Sequence, residues 1–218
     1  MVAALVTLLA CSCATVRKQS STQEVEPPAD PREALLDAVG FGDAADTERL
    51  LAAGGDANQL TPEGFTLLMI ASEDGHESVV ASLLAHGADP NAQTAGGVTA
   101  LILASAHGNV SIAEALIARG ADPGAATRAG VTSLIAAAAA GHADVVTMLL
   151  QHGVAIDARD ESGHTALMLA AANGHPDVVR VLLANGARRD LKDHDGNTAA
   201  SLAKKAHRAE VEKVFHGS

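Results

Sequence analysis

The sequence of 218 residues contains no tryptophan or tyrosine and only three phenylalanines, although 48% of its residues are hydrophobic. Ala, Leu and Val must therefore do most of the packing, which favours many small, similar helix contacts over one bulky core. Both cysteines, Cys11 and Cys13, lie within the first 13 residues. The rest of the chain therefore has no thiol for a disulfide framework, a cysteine metal site or a cysteine nucleophile.

Positive charge is also scarce, because 15 Lys and Arg face 26 Asp and Glu and the formal net charge is −11. A surface this acidic repels phosphate backbones, so we expect no nucleic-acid partner. A short cationic cluster lies near the C-terminus, at Lys204, Lys205 and Arg208. It is too small to reverse this expectation, and we interpret it as the solvated face of a last helix.

The first ten residues, MVAALVTLLA, are apolar in the manner of a signal peptide but far too few to span a bilayer. The sequence Leu8-Leu9-Ala10-Cys11 resembles a bacterial lipobox, whose cysteine is lipidated and becomes the mature N-terminus. We predict a signal and lipobox segment over residues 1–13, with Cys11 as the lipidation site, and a flexible linker over residues 14–30. The protein would then lie in the bacterial cell envelope, lipid-anchored, periplasmic or secreted. An ordinary cleaved signal, or the disordered start of a cytoplasmic scaffold, remains an alternative.

Glycines recur at a spacing of 33 residues in three interleaved series, which identifies a repeat protein. The series are Gly64, Gly97, Gly130, Gly163 and Gly196; Gly42, Gly75, Gly108, Gly141 and Gly174; and Gly54, Gly87, Gly120, Gly153 and Gly186.

Each period carries the signals for two short helices. A threonine precedes the first helix, where its hydroxyl could cap free backbone N–H groups, and the second glycine of the period ends that helix. The second segment, such as HESVVASLLAH, places Val79, Val80, Leu83 and Leu84 on one helix face. Turn residues then lead to the next unit. The capping threonines are Thr66, Thr99, Thr132, Thr165 and Thr198.

This unit of two helices and a hairpin resembles the ankyrin repeat, on the sequences GFTLLMIA, GVTALILA, GVTSLIAA, GHTALMLA and GNTAASLA. The resemblance implies an all-α fold, an ankyrin-type solenoid of helix–turn–helix repeats joined by β-hairpin-like turns. We predict a repeat domain over residues 31–216. Its parts are a degenerate first unit (31–60), full units (61–93, 94–126, 127–159 and 160–192) and a truncated last unit (193–216).

The sequence departs from the family pattern at one position of each full unit. Met69, Ile102, Ile135 and Met168 stand where the family has a histidine in its Thr-Pro-Leu-His sequence. We therefore expect neighbouring units to depend more on apolar contact and less on polar bonding.

Ten histidines raise the question of a metal site. His76, His142 and His175 share one phase of the repeat, so they should be offset by about 8–10 Å per unit. Ligands of zinc lie within about 2.1 Å of the ion, so these rings cannot converge on it. The sequence also lacks a GxSxG elbow, a P-loop and an HExxH motif. We predict a non-catalytic protein without a cofactor. The alternative is a metal or redox accessory protein that uses scattered histidines.

The resemblance implies that the hairpin tips and first helices form a concave face on which partners dock. We therefore predict that another protein binds there, and that a membrane is contacted only through the N-terminal lipid anchor. Val98 and Val131, beside the run Ala136–Ala140, would form an exposed apolar strip. By repeat phase, the exposed residues of the concave face are predicted to be Glu63, Phe65, Glu73, Asp74, Val98, Ala106, His107, Arg128, Val131, Ala139, Ala140, Glu161, His164, Ala172 and Asn173.

Overall fold

The computed structural model describes residues 30–216, which form twelve helices arranged as six successive pairs. The first member of each pair is called here an inner helix: α1 (Pro31–Gly40), α3 (Leu67–Asp74), α5 (Ala100–Ala106), α7 (Ser133–Ala140), α9 (Ala166–Asn173) and α11 (Ala199–Lys205). The second is called an outer helix: α2 (Ala44–Ala52), α4 (Glu77–Ala85), α6 (Val110–Ala118), α8 (Ala143–Gln151), α10 (Pro176–Ala184) and α12 (Ala209–His216).

Threonine caps begin five of the six inner helices, as the sequence predicts. In α3, for example, the hydroxyl of Thr66 accepts the backbone N–H of Met69 at 3.2 Å. The same bond recurs at Thr99, Thr132, Thr165 and Thr198. The caps set the start of each inner helix at the same phase of the repeat, which places the helices in register.

The pairs stack because each helix packs against its equivalent in the neighbouring pair. Inner helices contact inner helices and outer helices contact outer helices along the chain. All seven residues of α5 are buried, whereas α4 buries only the face that carries Val79, Val80, Leu83 and Leu84. The predicted all-α, ankyrin-type solenoid is confirmed. No helix in the described range has the length and apolar character required to cross a membrane.

Hairpin-like turns connect the pairs. In the first full turn, the N–H of Thr61 donates to the carbonyl of Phe65 at 2.8 Å, and Leu60 and Thr66 form an isolated antiparallel bridge. Later turns also bond to each other. The N–H of Arg128 donates to the carbonyl of Gly96 and that of Glu161 to the carbonyl of Ala129, both at 2.9 Å. These bonds align the hairpin tips along the stack.

A second set of hydrogen bonds, called here the inter-unit ladder, joins each outer-helix start to a carbonyl of the preceding unit. Polar bonding between units is therefore present even though Met69, Ile102, Ile135 and Met168 replace the family histidine, and it accompanies the apolar contact that the sequence predicts. The ladder bonds run from His76 Nε2 to Gly40 O (3.4 Å), Asn109 Nδ2 to Ser72 O (2.9 Å), His142 Nε2 to Ala106 O (3.0 Å), His175 Nε2 to Ala139 O (3.0 Å) and Arg208 Nε to Ala172 O (3.0 Å).

The ladder histidines pack directly against glycines of the preceding unit. A Cβ on Gly141 would lie 2.6 Å from Nδ1 of His175, and Gly141 has a φ of +89° at the end of α7. Glycine is therefore required at this position for two reasons: the backbone is left-handed, and the imidazole approaches too closely for a side chain to fit.

Replacing this glycine tests the close approach. We expect Gly141→Ala to destabilise the protein by more than Gly153→Ala, because Gly153 also has a positive φ but has no atom within 4 Å of the position of a Cβ. The left-handed conformation alone should cost about 1–2 kcal/mol in either variant. Overpacking against His175 should add about 1–3 kcal/mol in Gly141→Ala. Urea unfolding measures both, and equal losses would show that the ring contact contributes nothing.

One of the ladder histidines, His142, has a shifted pKa. Burial is the main reason that the pKa of His142 is lowered, with smaller contributions from the charges of His107 and His175, while the bond to Ala106 opposes the shift. A lowered pKa means that the folded protein resists protonation more than the unfolded chain does. Stability from this residue is therefore present above the ordinary histidine pKa of about 6.5 and is lost as the pH falls below it.

The asparagine in the neighbouring unit provides a replacement that cannot titrate. We expect His142→Asn to keep a ladder bond, as Asn109 does at 2.9 Å, and to lose less unfolding free energy than the wild type between pH 7.5 and 5.5. His152→Asn is the control, because the exposed ring of His152 ends α8 and takes no part in the ladder. Denaturant unfolding at each pH gives the slopes. Parallel slopes for wild type and His142→Asn would contradict this role of His142.

Candidate functional site

The structure distributes the predicted concave-face residues over three levels of exposure. The exposed residues occupy hairpin tips and the ends of inner helices, and are Glu63, Asp74, His107, Arg128 and Glu161. The partly buried residues are Phe65, Ala140, His164, Ala172 and Asn173. The buried residues are Glu73, Val98, Ala106, Val131 and Ala139.

The predicted apolar strip is therefore wrong, because Val98 is 9% exposed and Val131 is 5% exposed. The neighbouring hairpin explains their burial. A Cβ built on Gly97 would lie 3.0 Å from the Cα of Thr127, so successive hairpins lie against each other at this level. The valines fill the space between hairpins and inner helices and belong to the core. They offer no apolar surface to a partner.

Glu73 is also more buried than predicted, with 8% exposure. Its Oε1 atom lies 4.0 Å from Nε2 of His107, and Nδ1 of His107 is 3.0 Å from the carbonyl of Leu103. The structure thus brings two predicted site residues from neighbouring units into contact. A carboxylate with so little exposure interacts more strongly with a positive charge than one in open water, because the local dielectric is lower.

A polar cluster at the last hairpins was not predicted. His164 lies between two carboxylates, with Nδ1 3.1 Å from Asp160 Oδ2 and Nε2 3.7 Å from Asp193 Oδ2. Burial raises the pKa of Asp193, but hydrogen bonds from Asn197 and the backbone of Asp195, together with the charge of His164, outweigh it and lower the pKa. The ionised Asp193 accepts hydrogen bonds within the last hairpin and lies beside His164, a residue of the predicted concave face.

The sequence does carry a signal for this cluster. One residue in every 33 accepts, through its side-chain oxygen, the backbone N–H four residues later. In the third and fourth turns, Thr127 accepts from Val131 at 3.1 Å and Asp160 accepts from His164 at 2.8 Å. The full series is Thr61, Thr94, Thr127, Asp160 and Asp193. The change from Thr to Asp marks where acidic groups approach His164.

Two observations on the described residues bear on metal binding and on acid–base chemistry. Within residues 30–216, no three histidine or acidic side chains are placed to hold a metal ion. An open groove of about 410 Å³ lies between α10 and α12, away from the predicted site residues. Its lining residues are Arg180, Leu183, Ala184, Ala187, Arg189 and Val214. This lining has no carboxylate or imidazole for acid–base chemistry.

The predicted segments over residues 1–13 and 14–30, including the lipidation site Cys11, lie outside the described residues except for Asp30. Asp30 caps α1, and its side chain accepts the N–H of Arg32 at 2.9 Å.

Comparison with known proteins agrees with the architecture of the described range. A family model described as "Ankyrin repeats (3 copies)" matches residues 35–127 and 119–195. No curated protein matches the chain. The two matched segments together cover more than half of the sequence, and they contain four of the five threonine-capped inner helices and four of the five ladder residues. The chain belongs to the ankyrin repeat family.

Proposed function

We propose that this chain binds another protein through its concave face and carries out no catalysis. Ankyrin repeats indicate a protein–protein interaction module. The observation that carries the choice of face is that Glu63, Asp74, His107, Arg128 and Glu161 are exposed on successive units of one regular stack.

The backbone under these residues supports such a role. Arg128 and Glu161 are the residues whose N–H groups bond to the preceding hairpin, each at 2.9 Å. Their side chains therefore project from hydrogen-bonded backbone and not from a free loop. A surface held in this way loses little conformational entropy when a partner binds, which leaves more of the contact energy as affinity.

The chemistry of the face points to a partner recognised through charge. Arginine is among the residues that dominate interface energies, and Arg128 is exposed next to the partly buried hairpin of the same unit. Glu63 and Glu161 are exposed at other tips. Because the predicted valine strip is buried, these charged tips and the inner-helix ends are the groups that a partner would contact.

We also propose that the repeats are tethered to a bacterial membrane through Cys11. The support is the sequence alone, Leu8-Leu9-Ala10-Cys11 after an apolar run. A linker between the lipid and the first unit would allow the stack to reach a partner near the membrane surface.

A charge exchange tests the binding face. We expect Glu63→Lys/Arg128→Glu to lose the protein that the wild-type full-length chain captures after crosslinking in intact cells, because both side chains are exposed at hairpin tips. The matched control is Glu114→Lys/Arg119→Glu, which changes the same charges on exposed residues within the outer helix α6 and at its C-terminal end. Quantitative mass spectrometry of the captured proteins measures the loss.

The control decides where binding occurs. Loss of the same protein with the α6 variant, and unchanged capture with the tip variant, would place the interaction on the outer helices. Both variants must keep the unfolding midpoint of the wild type, because Arg119 is the C-cap of α6 and a loss of capture counts as a loss of binding only if the variant remains folded.

The anchor is tested by the two cysteines. When the full chain is expressed in a bacterium, we expect the mature protein to begin at a lipid-modified Cys11 and to fractionate with membranes. Cys11→Ser should remove the lipid and release the protein, whereas Cys13→Ser should change neither. Intact-mass analysis of the mature chain measures this, and an unmodified Cys11 in the wild type would exclude the tether.

A further inference from the structure

The rim of the concave face is formed by one residue at the end of each inner helix, in a series spaced by 33 residues. We call this series the rim: Phe41, Asp74, His107, Ala140, Asn173 and Ala206. The first member differs from the others. Phe41 is 70% exposed, the largest exposure of any large hydrophobic residue in the described range.

The backbone presents Phe41 in a fixed position. Gly40 and Gly42 flank it and carry no side chain that could cover the ring. The carbonyl of Gly40 receives the ladder bond from His76 at 3.4 Å, and a Cβ on Gly42 would lie 2.6 Å from the same imidazole. The N–H of Phe41 itself donates to Asp37 at 2.9 Å. The turn is thus bonded within α1 and packed against the next unit, so the aromatic ring is held out from a constrained backbone.

Negative charge predominates in the part of the stack that contains this ring. From Asp30 to Ala118 the sequence contains thirteen aspartates and glutamates and two arginines, Arg32 and Arg49. Glu63, Glu73 and Asp74 in this range belong to the predicted concave face, and Glu63 and Asp74 are exposed. Asp74 is the next rim residue after Phe41 and is exposed. Equivalent positions in adjacent stacked helices are separated by about 8–10 Å, so its carboxylate is within reach of a segment that contacts Phe41.

The far end of the stack lacks this combination. From Gly120 to His216 the sequence has ten lysines and arginines against eleven acidic residues, and the rim there carries Ala140, Asn173 and Ala206. Asn173 is partly buried and its amide donates to the carbonyl of Ala139 at 2.7 Å. The aromatic side chain and the unbalanced negative charge therefore coincide at the N-terminal part of the concave face.

We propose that the N-terminal part of the concave face docks a cationic segment of a partner protein that carries at least one large apolar side chain. The apolar side chain packs on Phe41, and lysines or arginines face the exposed carboxylates of Asp74 and Glu63. The inference rests on the proposed function and adds the chemistry of the partner and its position on the stack. Charge complementarity speeds association and excludes acidic partners, while the aromatic contact supplies desolvated area.

Selection from a displayed library of random 16-residue peptides tests the chemistry directly. With the full-length chain as bait at low salt, we expect the enriched peptides to carry net positive charge and at least one Leu, Ile, Phe, Trp or Met. Phe41→Ser should weaken their binding about tenfold or more. Asp74→Lys should weaken it strongly at 20 mM salt and less at 300 mM, because salt screens the charge interaction.

The matched control is Glu114→Lys, which makes the same kind of charge reversal on the exposed surface of α6. It should leave peptide binding within about twofold of the wild type. Fluorescence anisotropy of the enriched peptides measures all the affinities, and unfolding midpoints verify that Phe41→Ser and Asp74→Lys remain folded.

The outcomes separate this inference from the proposed function. Neutral or acidic peptides that bind in a manner sensitive to Glu63→Lys/Arg128→Glu would overturn the cationic partner and leave the binding face intact. Peptides insensitive to every concave-face variant but sensitive to Glu114→Lys would overturn both. Failure to enrich any peptide would overturn the docking of a short cationic segment, and the capture of a folded partner would still be decided by the crosslinking experiment.

Discussion

The burial of each inner helix against the inner helices on either side is the interaction on which the rest of the structure depends. Ala104, Ala137 and Ala170 occupy the same phase of successive inner helices and are fully buried. Small side chains let these helices approach closely, and each unit buries apolar surface that it could not bury alone. Each unit is therefore stabilised by contact with the units adjacent to it. The first and last units have less of this stabilisation, because each has a neighbour on one side only.

Close stacking creates a polar requirement at the end of each inner helix, where carbonyl groups have no partner within the helix. The inter-unit ladder meets it from the next unit. Histidine, asparagine and arginine all serve at this position, as His142, Asn109 and Arg208 show. Each of these side chains carries an N–H donor that reaches a main-chain carbonyl of the preceding unit. The glycine that packs against each imidazole leaves room for the ring. The residue type can change so long as the donor and the space are kept.

The sequence predicts the parts of this fold that depend on local chemistry and on phase. Thr66 and its equivalents cap the inner helices because a hydroxyl at that position can satisfy backbone N–H groups in any such unit. The burial of Val98 and Val131 could not be derived in this way. The phase of the repeat specifies the side of a unit on which a residue lies, but it does not specify how closely the next hairpin covers that residue. The inter-unit ladder was missed for a related reason: its acceptors are main-chain carbonyls about 36 residues earlier, which leave no trace in side-chain identity.

The difference between residues that build the repeat and residues on its surface explains how binding chemistry can vary on a regular stack. Caps, glycines and buried alanines set the backbone, and they occupy the phases that the repeat keeps. Rim side chains have no such fixed role: Asn173 bonds to the carbonyl of Ala139, whereas Ala140 at the equivalent position has no polar side chain, and each is the last residue of its inner helix. The residue type at the rim can therefore change without a change in the inner helix. The exposed ring of Phe41 lies in the part of the stack where acidic residues outnumber basic ones, and such a surface suits the binding of a cationic partner.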